Sequence, residues 1–296
     1  MIADIVRLFT STAVVQIMTL IRNLAVARLL SPDIAGACIS WLALPQAGAY
    51  CSLGLVDALP FLVPYHRGRH GKEDVESVKN QVWTLHGLVS FGVMILAVVG
   101  VWVFPFASGE MRLFGLLACG LFGINQLSKF AVMELAAEHR FDLLSRTEVL
   151  YAALLLVTSV VGMAAWHGTG FWGALMLSNA AVVGYVYRRQ LRHERIRWVQ
   201  PDWTVLRGLV PTGIVMAVAA TIYLPFVLIA RLSVASVLGV QAAGHFFLAS
   251  VLMTFLAVVP RTLARVMLPH LSLSYGGGQS LRETLPVFAK IQIASL

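Results

Sequence analysis

Charge is scarce in this sequence. Asp, Glu, Lys and Arg supply 12% of its 296 residues, about half the share of an ordinary globular domain. Cysteine is scarce too. Cys38, Cys51 and Cys119 all fall inside long apolar runs, where they act as small apolar residues and indicate neither a disulfide framework nor a metal site. No His/Cys/Asp cluster has metal-ligand spacing, no nucleophile has a base near it, and no convincing strand precedes a glycine-rich turn. Gly276-Gly277-Gly278 lacks the Lys-Ser/Thr of a phosphate loop and reads as a flexible turn. The sequence indicates no enzyme and no cofactor.

What fills the chain instead is apolar. Hydrophobic residues make up 58% and the mean hydropathy is +0.80. They come in blocks of about twenty, the length that crosses a hydrocarbon core about 30 Å thick. The expected spans are 6–27, 36–62, 82–104, 112–136, 147–166, 171–187, 208–230 and 240–268, with a ninth opening near Pro286. The first is too long and too polar-striped for a cleaved signal peptide and reads as a retained helix. The fold class expected is an all-α polytopic membrane protein.

The net charge of +8 sorts by loop parity rather than gathering into a nucleic-acid patch. Loops after the even spans hold Arg67, Arg69, Lys72, Lys79, Arg140, Arg146, Arg188, Arg189, Arg192, Arg195, Arg197, Arg207 and Arg282. The odd loops hold only Arg28, Arg112 and Arg231. The positive-inside rule therefore puts the even loops and the N-terminus in the cytoplasm.

A repeat runs through this plan. Leu30-Ser31-Pro32-Asp33-Ile34-Ala35-Gly36 is echoed 208 residues later by Leu238-Gly239-Val240-Gln241-Ala242-Ala243-Gly244. Ala58-Leu59-Pro60-Phe61-Leu62-Val63-Pro64 is echoed 205 residues later by Leu263-Ala264-Arg265-Val266-Met267-Leu268-Pro269. The copies lie six spans apart, so both cross in the same direction, as parallel repeats do. The expected organisation is a six-helix lobe over 1–187, a basic cytoplasmic linker over 188–207, and the start of a second lobe over 208–296. A second lobe of equal length would run on well past Leu296, so the chain reads as a fragment of a protein of about twelve helices.

Polar residues inside the spans are the candidates for function. Thr12, Gln16, Thr19 and Asn23 share one face of the first helix, with Arg22 beside them. Ser250, Thr254, Arg261 and Arg265 share a face of the eighth, and Asn125 and Lys129 lie one turn apart on the fourth. A Lys or Arg near the centre of a transmembrane helix costs about 2.5–3.5 kcal/mol on insertion scales and usually faces a bundle interior or a wet cavity. Other readings stand beside this one. Arg28, Arg265 and Arg231 sit near helix ends and are placed to snorkel. The Thr/Gln/Asn stripe suits interhelical hydrogen bonding. Lys129 has Glu134, and Arg261 has Asp57, as a possible ion-pair partner. Arg22, Lys129, Arg261 and Arg265 outnumber Asp57 and Glu134, which leaves positive charge for an anion. His86 and His245 read as core residues. Pro45, Pro60, Pro211, Pro225 and Pro260 lie within spans, where proline kinks a helix.

Several stretches together resemble one known family. Ala27-Arg28-Leu29-Leu30-Ser31-Pro32-Asp33-Ile34-Ala35-Gly36 is similar to its Ala-Arg-Leu-Leu/Gly-Pro-x-x-x-Gly after helix one. Leu53-Gly54-Leu55-Val56-Asp57-Ala58-Leu59 is similar to its Leu-Gly-Leu-x-x-Ala-Leu. Glu134-Leu135-Ala136-Ala137-Glu138-His139-Arg140-Phe141 and His167-Gly168-Thr169-Gly170-Phe171-Trp172-Gly173-Ala174-Leu175 follow in order. This is the polysaccharide-transport (O-antigen and exopolysaccharide flippase, Wzx-type) branch of the multidrug/oligosaccharidyl-lipid/polysaccharide (MOP) exporter superfamily, which also holds the MATE transporters. The resemblance spans essentially the whole chain. It implies two six-helix bundles around a central cavity open alternately to either side. It also implies an undecaprenyl-diphosphate-linked oligosaccharide as substrate, with Arg22, Lys129, Arg261 and Arg265, aided by Asn125, Gln16 and Asn23, meeting the diphosphate. Asp57, Glu134, Arg28 and Arg231 are then gating or ion-pair residues. Expected partners are that lipid-linked glycan, membrane lipids and a glycan polymerase complex, in a bacterial inner membrane. Competing readings are a lipid II-type flippase, a drug or cation antiporter of the same superfamily, and a non-transporting membrane scaffold.

Overall fold

The helices begin where capping and apolar periodicity meet, and in several places they run past the apolar blocks. The computed structural model describes residues 2–42, 44–45, 48, 54–69, 72–103, 109–191, 196–221 and 258–278. The helices are α1 (Ile2–Leu29), α2 (Pro32–Trp41), α3 (Leu55–Arg69), α4 (Lys72–Val103), α5 (Gly109–Ala137), α6 (Phe141–Val186), α7 (Trp203–Thr221) and α8 (Val258–Gly276). A π-helical turn, Tyr187–Leu191, closes α6. No strand occurs among the described residues. α1, α4, α5 and α6 are long and apolar enough to cross a membrane, so the chain is an all-helical, multi-pass membrane protein.

α2 starts on Pro32, where a missing N–H costs nothing, and Ser31 Oγ accepts the Ile34 N–H at 3.5 Å. The expected second span, 36–62, is not one helix. α2 stops at Trp41, Leu42 is a turn, and α3 opens at Leu55 after Gly54, whose φ of 72° suits glycine. α4 begins ten residues before the apolar block at 82. Its extra turns carry Lys79, Asn80 and Gln81, with Thr84 just inside the block, all buried, and each has a partner described below.

α6 is two expected spans joined without a loop. Helical geometry breaks at Trp166 (φ −133°, ψ 16°) and His167 (φ 48°, ψ −122°). Beyond that break the chain folds back on itself. Thr158 and Ser178 hydroxyls lie 3.1 Å apart, and Asn179 Nδ2 donates to the Tyr151 hydroxyl at 3.3 Å. Gly162 and Gly170 meet backbone to backbone, and a Cβ on Gly170 would fall 1.9 Å from the Gly162 carbonyl oxygen. Only glycine permits an approach that close.

Three apolar clusters hold the bundle. One joins α3, α4, α5 and α7 around Leu59, Val63, Val82, Phe130 and Leu206. A second joins the end of α1, α2, α5 and α6 around Phe114, Met163 and Trp172. The third gathers Leu8, Leu135, Phe141, Leu144, Val186 and Val266. It therefore brings the start of α1, the α5–α6 turn, the end of α6 and α8 to one end of the bundle.

α8 lies along α3. Ser272 Oγ donates to the Phe61 carbonyl, Gly276 abuts Tyr65, and Gly68 abuts Leu273 and Gly277. Contact positions advance together along both helices, so α3 and α8 run in the same direction, as the parallel repeat requires. Gly276, expected in a flexible turn, is instead helical and packed on the Tyr65 carbonyl. The turn proper is Gly277–Gly278, with φ 85° at Gly278.

Candidate functional site

One face of α6 draws α1 and α8 together. Glu148 and Tyr151 lie three residues apart, hence on one side of the helix. From α8, Arg265 Nη1 donates to Glu148 Oε1 in an ion pair, both groups half-buried. From α1, Arg22 comes close enough to Tyr151 for electrostatic interaction, and Tyr151 accepts from Asn179 of the returning arm. Arg22 Nη2 donates to Asn23 Oδ1 at 2.9 Å, while its Nε is buried without a hydrogen-bond partner. No carboxylate pairs with Arg22 among the described residues. A guanidinium offers five donors, so this one retains unused capacity for an anion. Arg261 stands one turn before Arg265 on α8; its side chain lies outside the described residues.

Three other cations meet carboxylates on neighbouring elements. Lys79 Nζ, on α4, donates to Glu134 Oε1 at 2.9 Å and pairs with Glu138 Oε1 at 2.5 Å. Arg67, at the end of α3, reaches both Glu138 oxygens at 2.6 Å. Lys79 and Glu134 are 5% and 0% exposed, so each charge depends on the other to stay in the core. Burial would raise the Glu138 carboxyl, but the hydrogen bonds from Arg67 and Lys79 prevail and hold it below the usual carboxylate range. Lys129 Nζ on α5 donates to Asp57 Oδ2 on α3 at 2.7 Å. Near that pair, His86 Nε2 lies 3.1 Å from the Gln126 carbonyl, 2% exposed, a core histidine.

The segment leaving α6 is strapped to α4. Backbone N–H groups of Arg197, Val199 and Asp202 donate to Asn80 Oδ1, Thr84 Oγ1 and Gln81 Oε1 at 2.8–3.1 Å. Trp198 packs on Gly87 and edge-on to Trp83. An extended backbone needs such acceptors, and they explain why α4 stays helical so far below its apolar block. Exposed Trp198 and Trp203 lie on this side, while exposed Trp102 covers Arg112 near the opposite ends of α4 and α5. Such rings mark membrane interfaces.

Of the expected anion-binding set, then, Arg22 and Arg265 converge on α6, whereas Lys129 belongs to a different seam. The cation excess expected from the sequence is smaller than it looked: Asp57 is taken by Lys129, Glu134 by Lys79, and Glu148 by Arg265. Of the ion-pair readings, Lys129 takes Asp57 rather than Glu134, which five residues carry about 140° round the helix. Thr19 Oγ1 bonds back to the Val15 carbonyl at 2.8 Å, while Thr12, Gln16, Asn23 and Asn125 are half-buried. Arg28 is exposed at the end of α1, and Arg231 lies outside the described residues, as do Ser250, Thr254, Pro225, His245 and Cys51. The sequence reading missed Glu148, Tyr151 and Asn179. Glu148 was visible, as a carboxylate inside an apolar run.

No protein-family model and no curated protein matches the chain. Solved structures do. A MATE transporter in complex with MaD5 superposes with TM-score 0.78 at 16% identity, over 98% of this chain and 70% of its own. The outward-facing conformation of a multidrug-resistance MATE transporter of the MOP superfamily gives 0.77 at 16%, over 98% and 68%. This chain has the fold of those transporters. A MOP superfamily transporter from Pyrococcus furiosus, described as having a binding pocket of reversed polarity, gives 0.71 at 15%, over 93% and 65%. The chain thus spans about two thirds of the length of these structures.

Proposed function

We propose that the chain is part of a membrane exporter that moves a polyprenyl-diphosphate-linked oligosaccharide from the cytoplasmic to the periplasmic leaflet by alternating access, for O-antigen, capsule or exopolysaccharide synthesis. The MATE-like fold supports a transporter. The observation that carries the substrate class is Arg22, an intramembrane guanidinium with a buried, unbonded Nε and no carboxylate partner among the described residues. A diphosphate leaving water requires such donors. Arg265, held by Glu148, and Arg261, one turn away, stand on α8, which reaches the same helix, α6. In this reading 1–187 forms one lobe, 188–207 the cytoplasmic linker and 208–296 the start of the second lobe. The N-terminus is cytoplasmic, the membrane is the bacterial inner membrane, and a glycan polymerase complex is the downstream partner. Moving two negative charges outward down an inside-negative potential of about 100 mV releases about 4–5 kcal/mol.

The test is complementation of a flippase-deficient strain by the full-length protein. Arg22→Gln abolishes surface glycan at unchanged protein level, and Arg22→Lys restores part of it. Full surface glycan with Arg22→Gln would overturn the anion site. One observation favours a second reading, a cation-coupled antiporter. Asp57 and Glu148 are intramembrane carboxylates that open to protons or sodium if their partners swing away. Proton-coupled efflux of cationic dyes, lost in Glu148→Gln, would favour it.

A further inference from the structure

α8 is bolted to the first lobe at one end of the bundle, and a pair of histidines sits in that joint. His139 occupies the α5–α6 turn in the left-handed region, with φ 56°. His270 projects from α8, one turn after Val266, which belongs to the same apolar cluster as Phe141. The two imidazoles meet edge to face with centroids 4.6 Å apart, and Phe141 packs against both. The Nε2 atoms of both rings are buried without a hydrogen-bond partner. Two neutral rings fit such a contact. Two charged rings would not, and even one brings an imidazolium into an apolar joint.

The charges that reach the pair come from each element around it. Asp4 on α1 and Glu138 in the turn favour protonation, while Arg67 on α3 and the amino terminus oppose it. The acids do not prevail. Burial first, then His270 and Arg67, hold the His139 imidazole below its ordinary value. Glu138 is already engaged by Arg67 and Lys79. The closed joint therefore prefers neutral rings, and its stability is lost as pH falls below the ordinary imidazole value of about 6.5.

We propose that the His139–His270 contact is a proton-operated latch that holds α8 against the first lobe when neutral and releases it when either imidazole takes a proton. Tight packing at Gly68, Tyr65 and Gly276 lies at the same end of α8, so release loosens the face on which α3 and α8 converge. The latch acts on the joint itself and holds whatever is transported.

Double electron–electron resonance on the protein in lipid nanodiscs tests it. Nitroxides go on Glu76→Cys and Ala264→Cys, both exposed, with the native cysteines replaced by alanine. Between about pH 7.5 and 5.5, the population at longer distance rises several-fold. In His139→Asn/His270→Gln that pH response disappears; Asn is chosen because it tolerates the left-handed turn. A second measurement guards against a merely damaged joint. Asp4→Asn leaves both rings in place and moves the midpoint to lower pH, since it removes an acid that favours protonation. An unchanged distance distribution across this range, or a pH response that survives in the double variant, overturns the latch. So does an upward shift of the midpoint in Asp4→Asn.

Discussion

Two seams of this molecule treat buried charge in opposite ways. Between α3, α4 and α5, Lys79, Glu134, Glu138 and Arg67 form a closed network in which every charge has an opposite neighbour within 3 Å. Between α1, α6 and α8, Arg265 has Glu148 but Arg22 has only amide and hydroxyl company. The first arrangement is a structural solution, since an unpaired ion there costs more than the helix can return. The second leaves donor capacity inside a membrane protein, the pattern expected of a substrate path. Position in the fold agrees. The closed network joins α3, α4 and α5, and the open one lies on α6, which α1 and α8 both reach.

The largest expected effect comes from breaking the closed seam on one side only. Lys79→Met takes from the fully buried Glu134 carboxylate the ammonium it holds at 2.9 Å, and stability in detergent should fall by about 3–5 kcal/mol. Replacing both partners, as Lys79→Met with Glu134→Met, should recover most of that loss, because the cost lies in the unpaired ion. Next is the α6 hairpin. Gly170→Ala drives a Cβ into the Gly162 carbonyl and should cost about 1–3 kcal/mol by the same assay. Hairpin splaying would show as faster exchange of amides around Thr158 and Ser178. A smaller effect attends pH. Because the Glu138 carboxyl is held below its usual range, its contribution is present above that range and lost as pH falls through the lowered value. Glu138→Gln should therefore flatten the acid limb of the stability profile while leaving its neutral plateau lower. The smallest effect is at the strap, where Asn80→Ala removes one acceptor for about 1 kcal/mol. Limited proteolysis between 191 and 203 reads that loss directly.

The helical class, and the apolar stretches that become α1, α4, α5 and α6, were legible because twenty-residue apolar blocks dominate the sequence. Their ends were not. α4 reaches down to Lys72 on the strength of partners that arrive more than 100 residues later, Asn80 with Arg197 and Gln81 with Asp202. No local pattern encodes those. The turn at Gly54 was masked by hydropathy, which scores glycine as near neutral and ignores its backbone. Among the candidate residues, the sequence read Arg22 and Arg265 as cations within spans but could not say which of them meets an acid. Lys129 had Glu134 near it in sequence and Asp57 near it in space, and helical phase decides for the second. Glu148 was the readable one: an acid at the third-residue spacing from Tyr151 inside a span belongs to the count of buried charge.

The central claim is that Arg22 is held for a diphosphate rather than for the fold. Binding of undecaprenyl diphosphate to the protein in nanodiscs, followed by native mass spectrometry, tests it most directly. Arg22→Gln should weaken binding by about tenfold or more, the loss of a charged hydrogen bond, while the Asp57→Asn/Lys129→Met pair binds as the parent does. Equal affinity of Arg22→Gln and parent would contradict the claim.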